Sequence, residues 1–203
     1  MTVSATPTLA SALWPTSQSA PATLFRPVVL AVAGAALITL CAKIQVPMWP
    51  VPMTMQVFAV LLVALAYGSR LGTATVALYL AQGAAGLPVF AQGGGIAYFF
   101  GPTGGFLLGF LAAAWVTGRL AERGFGRGAV PVFIAAVVGI TTIYAIGVAW
   151  LAVFLMSAKG LAASTAIMAA LSNGMVPFLA GDAVKALLAG LLVPSAWKLV
   201  GRG

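Results

Sequence analysis

The chain has 203 residues, of which 62% are hydrophobic and only 6% charged, with a mean hydropathy of +1.11. A soluble domain carries roughly a quarter charged residues, so the composition excludes one and indicates an integral membrane protein. The lack of histidine and of any acidic cluster argues against a zinc or di-metal centre, and despite a net charge of +8 the basic residues do not cluster on the soluble face that nucleic acid requires.

Residues 1–25 are rich in Ser, Thr, Ala and Pro and carry no charge. They lack the basic start and compact apolar run of a signal peptide, so they are expected to be a disordered cytoplasmic tail, with a membrane domain over 26–203. The alternative for the tail is an interfacial segment anchored by Trp14 and Phe25. Uncharged gaps of 16 residues after Arg26, 26 after Lys43, 48 after Arg70, 31 after Arg127 and 22 after Lys159 then mark the spans. A spanning helix needs about 20 apolar residues, so the longest gap holds two spans and the total is six. With the N-terminus inside, Arg26, Arg70, Arg119, Arg123, Arg127, Lys198 and Arg202 fall on the cytoplasmic side, and Lys43 and Lys159 on the outer side. That positive-inside bias places both termini in the cytoplasm of a multi-pass inner-membrane protein.

Helix 1 is expected from about Pro27 to Ile44, and its Ala31 and Ala35, beside Gly34, form a small face for close packing. That face suits either a helix of the same chain or a partner membrane protein. The following stretch from Gln45 to Gln56 contains Pro47, Pro50 and Pro52, which forbid a helix and impose a stiff, extended loop on the outer side. Trp49 at its centre is either an interfacial anchor or part of a lid. Helix 2 runs to about Gly68, with Gln56 in its first turn, and helix 3 from about Leu71 to Ala85.

Between helices 3 and 4 lies an irregular Gly/Pro-rich outer loop, Leu87 to Gly105. Irregular backbone at membrane depth is tolerated only where it is buried in protein or lines a cavity, and a Gly-rich loop can offer N–H groups to an anion. No Gly-Lys-Ser/Thr follows, so it is not a nucleotide loop. Helix 4 is expected to begin at Pro102, helix 5 to cover about 130–156, and helix 6 to run from about 175–179 to Trp197. The loop at 159–172 is mildly apolar and suits the membrane surface.

Asp182 and Lys185 are the chemically informative pair. Asp182 is one of only two acids, it lies where hydrocarbon is expected, and Lys185 at i+3 shares its helical face. Intramembrane ionisable residues are expensive and mark function. The loops at 45–56 and 87–104 lie on the same side, so all three elements converge on an outward-facing pocket.

Four motifs occur in order: Val51-Pro-Met-Thr-Met-Gln56, Leu87-Pro-Val-Phe90, Gly101-Pro-Thr-Gly-Gly-Phe-Leu-Leu-Gly-Phe110, and Phe178-Leu-Ala-Gly-Asp182-x-x-Lys185. Together they resemble the BioY family, the biotin-specific S components of energy-coupling factor (ECF) transporters, over about residues 28–200. The resemblance implies an all-α protein of six transmembrane helices that binds biotin from the outer side. It also implies a transmembrane coupling protein and a pair of cytoplasmic ATPases as partners. It maps contacts to the ureido ring onto Asp182 and Lys185, the lid onto the loop with Trp49, and the docking face onto Ala31 and Ala35. Gln56 completes the expected pocket. The biotin carboxylate has no Arg or Lys in the 87–104 loop, which leaves backbone N–H groups such as that of Gly104 with Gln92 or Tyr98, and Lys43 as an outer-side cation.

A urea offers two N–H donors and one carbonyl acceptor, which a carboxylate and an ammonium complement. The alternative is a self-contained ion pair that locks helices. No cofactor, metal or catalytic set is expected, and biotin is cargo. An S component for another vitamin and a self-sufficient secondary transporter are the rival readings, the latter using Asp182 as proton carrier, and a solitary form would act as a homo-oligomer.

Overall fold

The computed structural model describes residues 7–14 and 20–201. Seven α-helices occur among them: α1 (Leu9–Leu13), α2 (Ala20–Lys43), α3 (Gln56–Ala84), α4 (Gly104–Leu120), α5 (Ala129–Lys159), α6 (Ala163–Gly174) and α7 (Leu179–Leu199). A short antiparallel hairpin, β1 (Gln45–Val46) and β2 (Met53–Thr54), joins α2 to α3, with Gln45 opposite Thr54 and Val46 opposite Met53. Among the described residues five helical stretches are long and apolar enough to cross a membrane, within α2, α3, α4, α5 and the α6–α7 segment.

The 29-residue α3 is not one straight rod. Gly68 has φ 80° and ψ −178°, a conformation that interrupts the helix and that L side chains rarely adopt. Gln56 nevertheless donates from Nε2 to Tyr79 Oη at 2.5 Å. A straight helix would hold residues that far apart in sequence about 34 Å from each other. A Cβ on Gly72 would also sit 3.1 Å from Ala64 Cα. The chain therefore folds back at Gly68 into two antiparallel legs, where the sequence placed the end of one helix and the start of the next.

Glu122 holds this turn from outside. It follows α4 in the single π-helical turn Ala121–Phe125. Its Oε1 accepts from the Ser69 backbone N–H at 2.7 Å and from the Ser69 hydroxyl at 2.8 Å, and Arg119 Nη1 donates to Oε2 at 3.2 Å. A carboxylate on the exposed N–H groups of a new helical leg satisfies donors that lack an intrahelical partner.

Several boundaries differ from those expected. The first span starts at Ala20 and carries Pro27 inside it, because the helix continues outward beyond the apolar run that marked it. The turn after Gly101 delays α4 to Gly104, with Thr103 as its N-cap. The stretch expected as a surface loop after Lys159 contains the two-sided helix α6. The expectation of a disordered tail does not extend to α1. Its N-cap Thr8 accepts from Ser11 N, and Leu9, Ala10 and Ala12 are buried. Leu9 and Ala12 pack with Leu61, Leu65 and Ala121. Residues 20–25 of the expected tail belong to α2, and residues 1–6 and 15–19 lie outside the described residues. Trp14 and Phe25, the anchors of the interfacial alternative, are exposed and meet edge to face at 6.4 Å.

The loop between α3 and α4 is compact rather than open. Phe90 is fully buried and contacts the rings of Tyr79, Tyr98 and Phe99. It fits because Gly83 lacks a side chain, since a Cβ there would lie 2.0 Å from the Phe90 ring. Ile96–Phe100 then form a 3₁₀ turn against the start of α4.

Candidate binding cavity

A cavity of about 620 Å³, open solvent at its mouth included, lies at the hairpin end of the bundle. Its walls come from the hairpin (Val51, Pro52, Thr54), the first turn of α3 (Gln56, Val57), the irregular loop (Phe90, Ala91, Tyr98, Thr103), α4, the middle of α5, and α7. Most of the lining is apolar, with Phe106, Phe110, Ile143 and Phe178 prominent, and its charged groups, Asp182 and Lys185, come from α7.

Those polar groups are built from α7 outward. The 3₁₀ turn Val176–Phe178 leads into α7 and places Asp182 in its first turn, where the helix dipole favours an anion. Lys185 Nζ lies 2.7 Å from Asp182 Oδ1. Asp182 and Lys185 are only 4% and 5% exposed, so this is a dry ion pair on the cavity wall. From α5, the Tyr144 hydroxyl donates to Asp182 Oδ2 in a short hydrogen bond. Each carboxylate oxygen thus has one protein donor and retains acceptor capacity, while the ammonium has donors left for a ligand.

Gln56 stands in the cavity wall. Its carbonyl accepts from the Thr54 hydroxyl at 3.1 Å, and its Nε2 donates to Tyr79, whose hydroxyl donates to Val89 O at 3.2 Å. This chain of bonds ties the hairpin to the irregular loop. Lys43 Nζ donates to Phe90 O at 2.7 Å and Gln45 Nε2 to Ala91 O at 3.0 Å, which clamps the root of the hairpin to the same loop.

Of the residues singled out in the sequence, Asp182, Lys185, Gln56 and Tyr98 come together on the cavity wall. Gln92 does not line it and is exposed. Gly104 does not line it either. Its N–H donates to Gly101 O, and a Cβ there would lie 1.8 Å from Phe99 O, so its contribution is the tight seating of α4 on the loop. Trp49 sits at the hairpin tip, 66% exposed, with Lys159 Nζ 4.0 Å from its ring centroid. Ala35 is fully buried in the main core cluster, and a Cβ on neighbouring Gly34 would lie 2.6 Å from the Thr75 side chain. The small face of α2 is thus occupied by α3 of the same chain, as the same-chain alternative has it, with Ala31 half-buried at its edge. Among the described residues no three His, Cys, Asp or Glu side chains meet to hold a metal.

Tyr144 and Thr103 were not singled out in the sequence. A signal for Tyr144 existed, since it is the one tyrosine in the apolar α5, and a buried phenol needs a partner.

The sequence model of the BioY family matches residues 12–202. The chain belongs to the BioY family. Among BioY relatives, "Biotin transporter BioY" of Thermotoga maritima is 41% identical over 166 residues, covering 81% of this chain and 91% of the relative. "Probable biotin transporter BioY" of Pyrococcus horikoshii is 39% identical over 158 residues, covering 77% and 87%. Both carry the name of a transporter, not of an enzyme. The fold matches the crystal structure of an S-component for biotin from an ECF-type ABC transporter with a TM-score of 0.72, over 90% of this chain and 95% of that one, at 22% sequence identity.

Proposed function

We propose that this BioY protein captures biotin in the cavity walled by Asp182 and Lys185 and serves as the substrate-binding component of an ECF-type transporter. The observation that carries this reading is the buried Asp182–Lys185 pair, with Tyr144 on its far oxygen, facing a cavity that is mostly apolar. Asp182 accepts from a ureido N–H and Lys185 donates to the ureido carbonyl, so the ligand fills hydrogen bonds that a dry pair leaves open. The aromatic and aliphatic walls take the thioether ring and the aliphatic tail. Tyr98 and Thr103, on the cavity wall, are the candidates for the tail carboxylate.

The two legs of α3 count as two spans, which together with α2, α4, α5 and α7 gives six. The cavity faces outward and the Arg70, Arg119–Arg127 and Lys198 end faces the cytoplasm. The chain has no nucleotide-binding loop, so active uptake requires the coupling protein and its ATPases. For that partner the exposed flank of α2 at Val28, Val32 and Leu40 is available beside Ala31, whereas Ala35 is occupied.

Calorimetric titration of the detergent-purified chain, without partners, tests the reading. Saturable one-to-one binding of biotin, and none of thiamine or riboflavin, is the expected result. Binding of another heterocycle in place of biotin would retain the cavity and discard the substrate.

A further inference from the structure

We infer that Lys159 is the latch of the hairpin lid, holding Trp49 against the end of α5 and so setting how fast the cavity opens. The inference rests on the biotin reading only for what passes through the opening.

The hairpin is tied by hydrogen bonds at its root, whereas its tip is held by side-chain packing, with Pro50, Val51 and Pro52 buried and Val51 in the main core cluster. At the root there are two ladder pairs, the Met55 N–H to Ile44 O bond at 3.0 Å, and the clamps from Lys43 and Gln45 to the irregular loop. Beyond the ladder, Pro47, Pro50 and Pro52 have no N–H, so backbone bonding of the tip to a neighbour is largely removed. Val51, which is 7% exposed, and Pro52 cover the cavity from within this tip. The exposed part of the tip, Trp49, meets the Lys159 ammonium, which lies 4.0 Å from its ring centroid. Lys159 is the last residue of α5, and its place is fixed by the left-handed C-cap Gly160, whose N–H donates to Met156 O. The same rigid helix carries Tyr144 to Asp182, so α5 links the cavity's charged wall to its cover. Loss of a solvent-exposed cation–π contact makes the open state about two- to fivefold more populated.

The test uses the full chain with Cys41→Ser and Val51→Cys, so that a water-soluble maleimide reports opening without any ligand. Lys159→Ala or Trp49→Ala should each speed alkylation of residue 51 about two- to fivefold. The double variant should be no faster than Trp49→Ala alone, and Lys159→Arg should restore the slow rate. Release of radiolabelled biotin, measured by chase on the same Lys159 and Trp49 variants with Val51 retained, should follow the same order. An unchanged rate in Lys159→Ala, independent multiplying effects in the double variant, or Lys159→Arg behaving as Lys159→Ala would overturn the latch. The expected alkylation pattern, together with no biotin binding by the chain that retains Val51, would keep the latch and remove the biotin reading.

Discussion

Asp182 performs two tasks at once, and they are separable at the level of single residues. It neutralises a buried ammonium, and it offers an anionic acceptor to the cavity. Asp182→Asn removes the charge from both. Losing hydrogen bonds to a charged group costs about 1.5–3 kcal/mol, or roughly ten- to hundredfold in biotin affinity. It also leaves Lys185 buried without a counterion, a state that is costly by about 3–5 kcal/mol, so the single variant should melt earlier as well. The double variant Asp182→Asn with Lys185→Met has no buried charge and should recover most of the melting temperature without recovering affinity. Titration and thermal unfolding on the same samples separate the two. If affinity returned with stability, the pair would be a helix lock and the ligand would sit elsewhere. Tyr144→Phe removes one donor to Asp182 and leaves the ion pair intact. Its expected loss is smaller, about three- to tenfold in affinity, and an unaltered affinity would mean that Tyr144 does not orient the carboxylate that biotin meets.

At the scale of elements, Gly68 decides whether α3 is a rod or a hairpin, and its substitution has a definite sign. Gly68→Ala forces a side chain into φ 80°, and its Cβ would lie 2.7 Å from Glu122 Oε1 and 2.9 Å from the Thr8 methyl. Strain of this kind costs about 1–3 kcal/mol, and displacing Glu122 uncaps Ser69 in addition. The melting temperature in detergent should fall, while the protein that remains folded keeps its biotin affinity, because the turn is at the far end from the cavity. An unchanged melting temperature would show that the turn tolerates a different backbone path. This break was legible in the sequence because Gly68 and Arg70 interrupt an apolar run. The Asp182–Lys185 pair was equally legible, being rare chemistry in hydrocarbon. What composition did not reveal was which faces look inward. A lipid-facing and a protein-facing surface are both apolar here, so residues such as Tyr144 and Phe90 acquire their roles only from helices brought together across the bundle. Gln92 and Tyr98 are six residues apart in one loop, and the turn geometry, not their chemistry, put the second on the cavity wall and the first in the open.

Across the whole molecule the charges sort by end. Glu122 on Ser69 and Arg127 over the Trp197 ring at 4.8 Å bring Arg70, Arg119, Arg123, Arg127 and Lys198 to one end. Lys43 on Phe90 O and Lys159 on Trp49 lie at the other, beside the cavity mouth. The proposed orientation, with the cavity mouth outside, is the one that follows the positive-inside rule. α5 is the natural ruler for this orientation, because its 31 residues run to about 46 Å, longer than the roughly 30 Å hydrocarbon core. Its two ends therefore emerge on opposite faces, and Ala129 and Ser157 near those ends are both exposed. In a Cys41→Ser background, Ser157→Cys should react with a membrane-impermeant fluorescent maleimide on intact cells. Ala129→Cys should react only after the cells are permeabilised. The inverse pattern would turn the cavity toward the cytoplasm and end the case for capture from outside. Labelling of both positions on intact cells would mean that α5 does not span the bilayer. The expected pattern places Lys159 and Trp49 in the external medium, where a hydrated lid can open without drawing its charged latch through lipid.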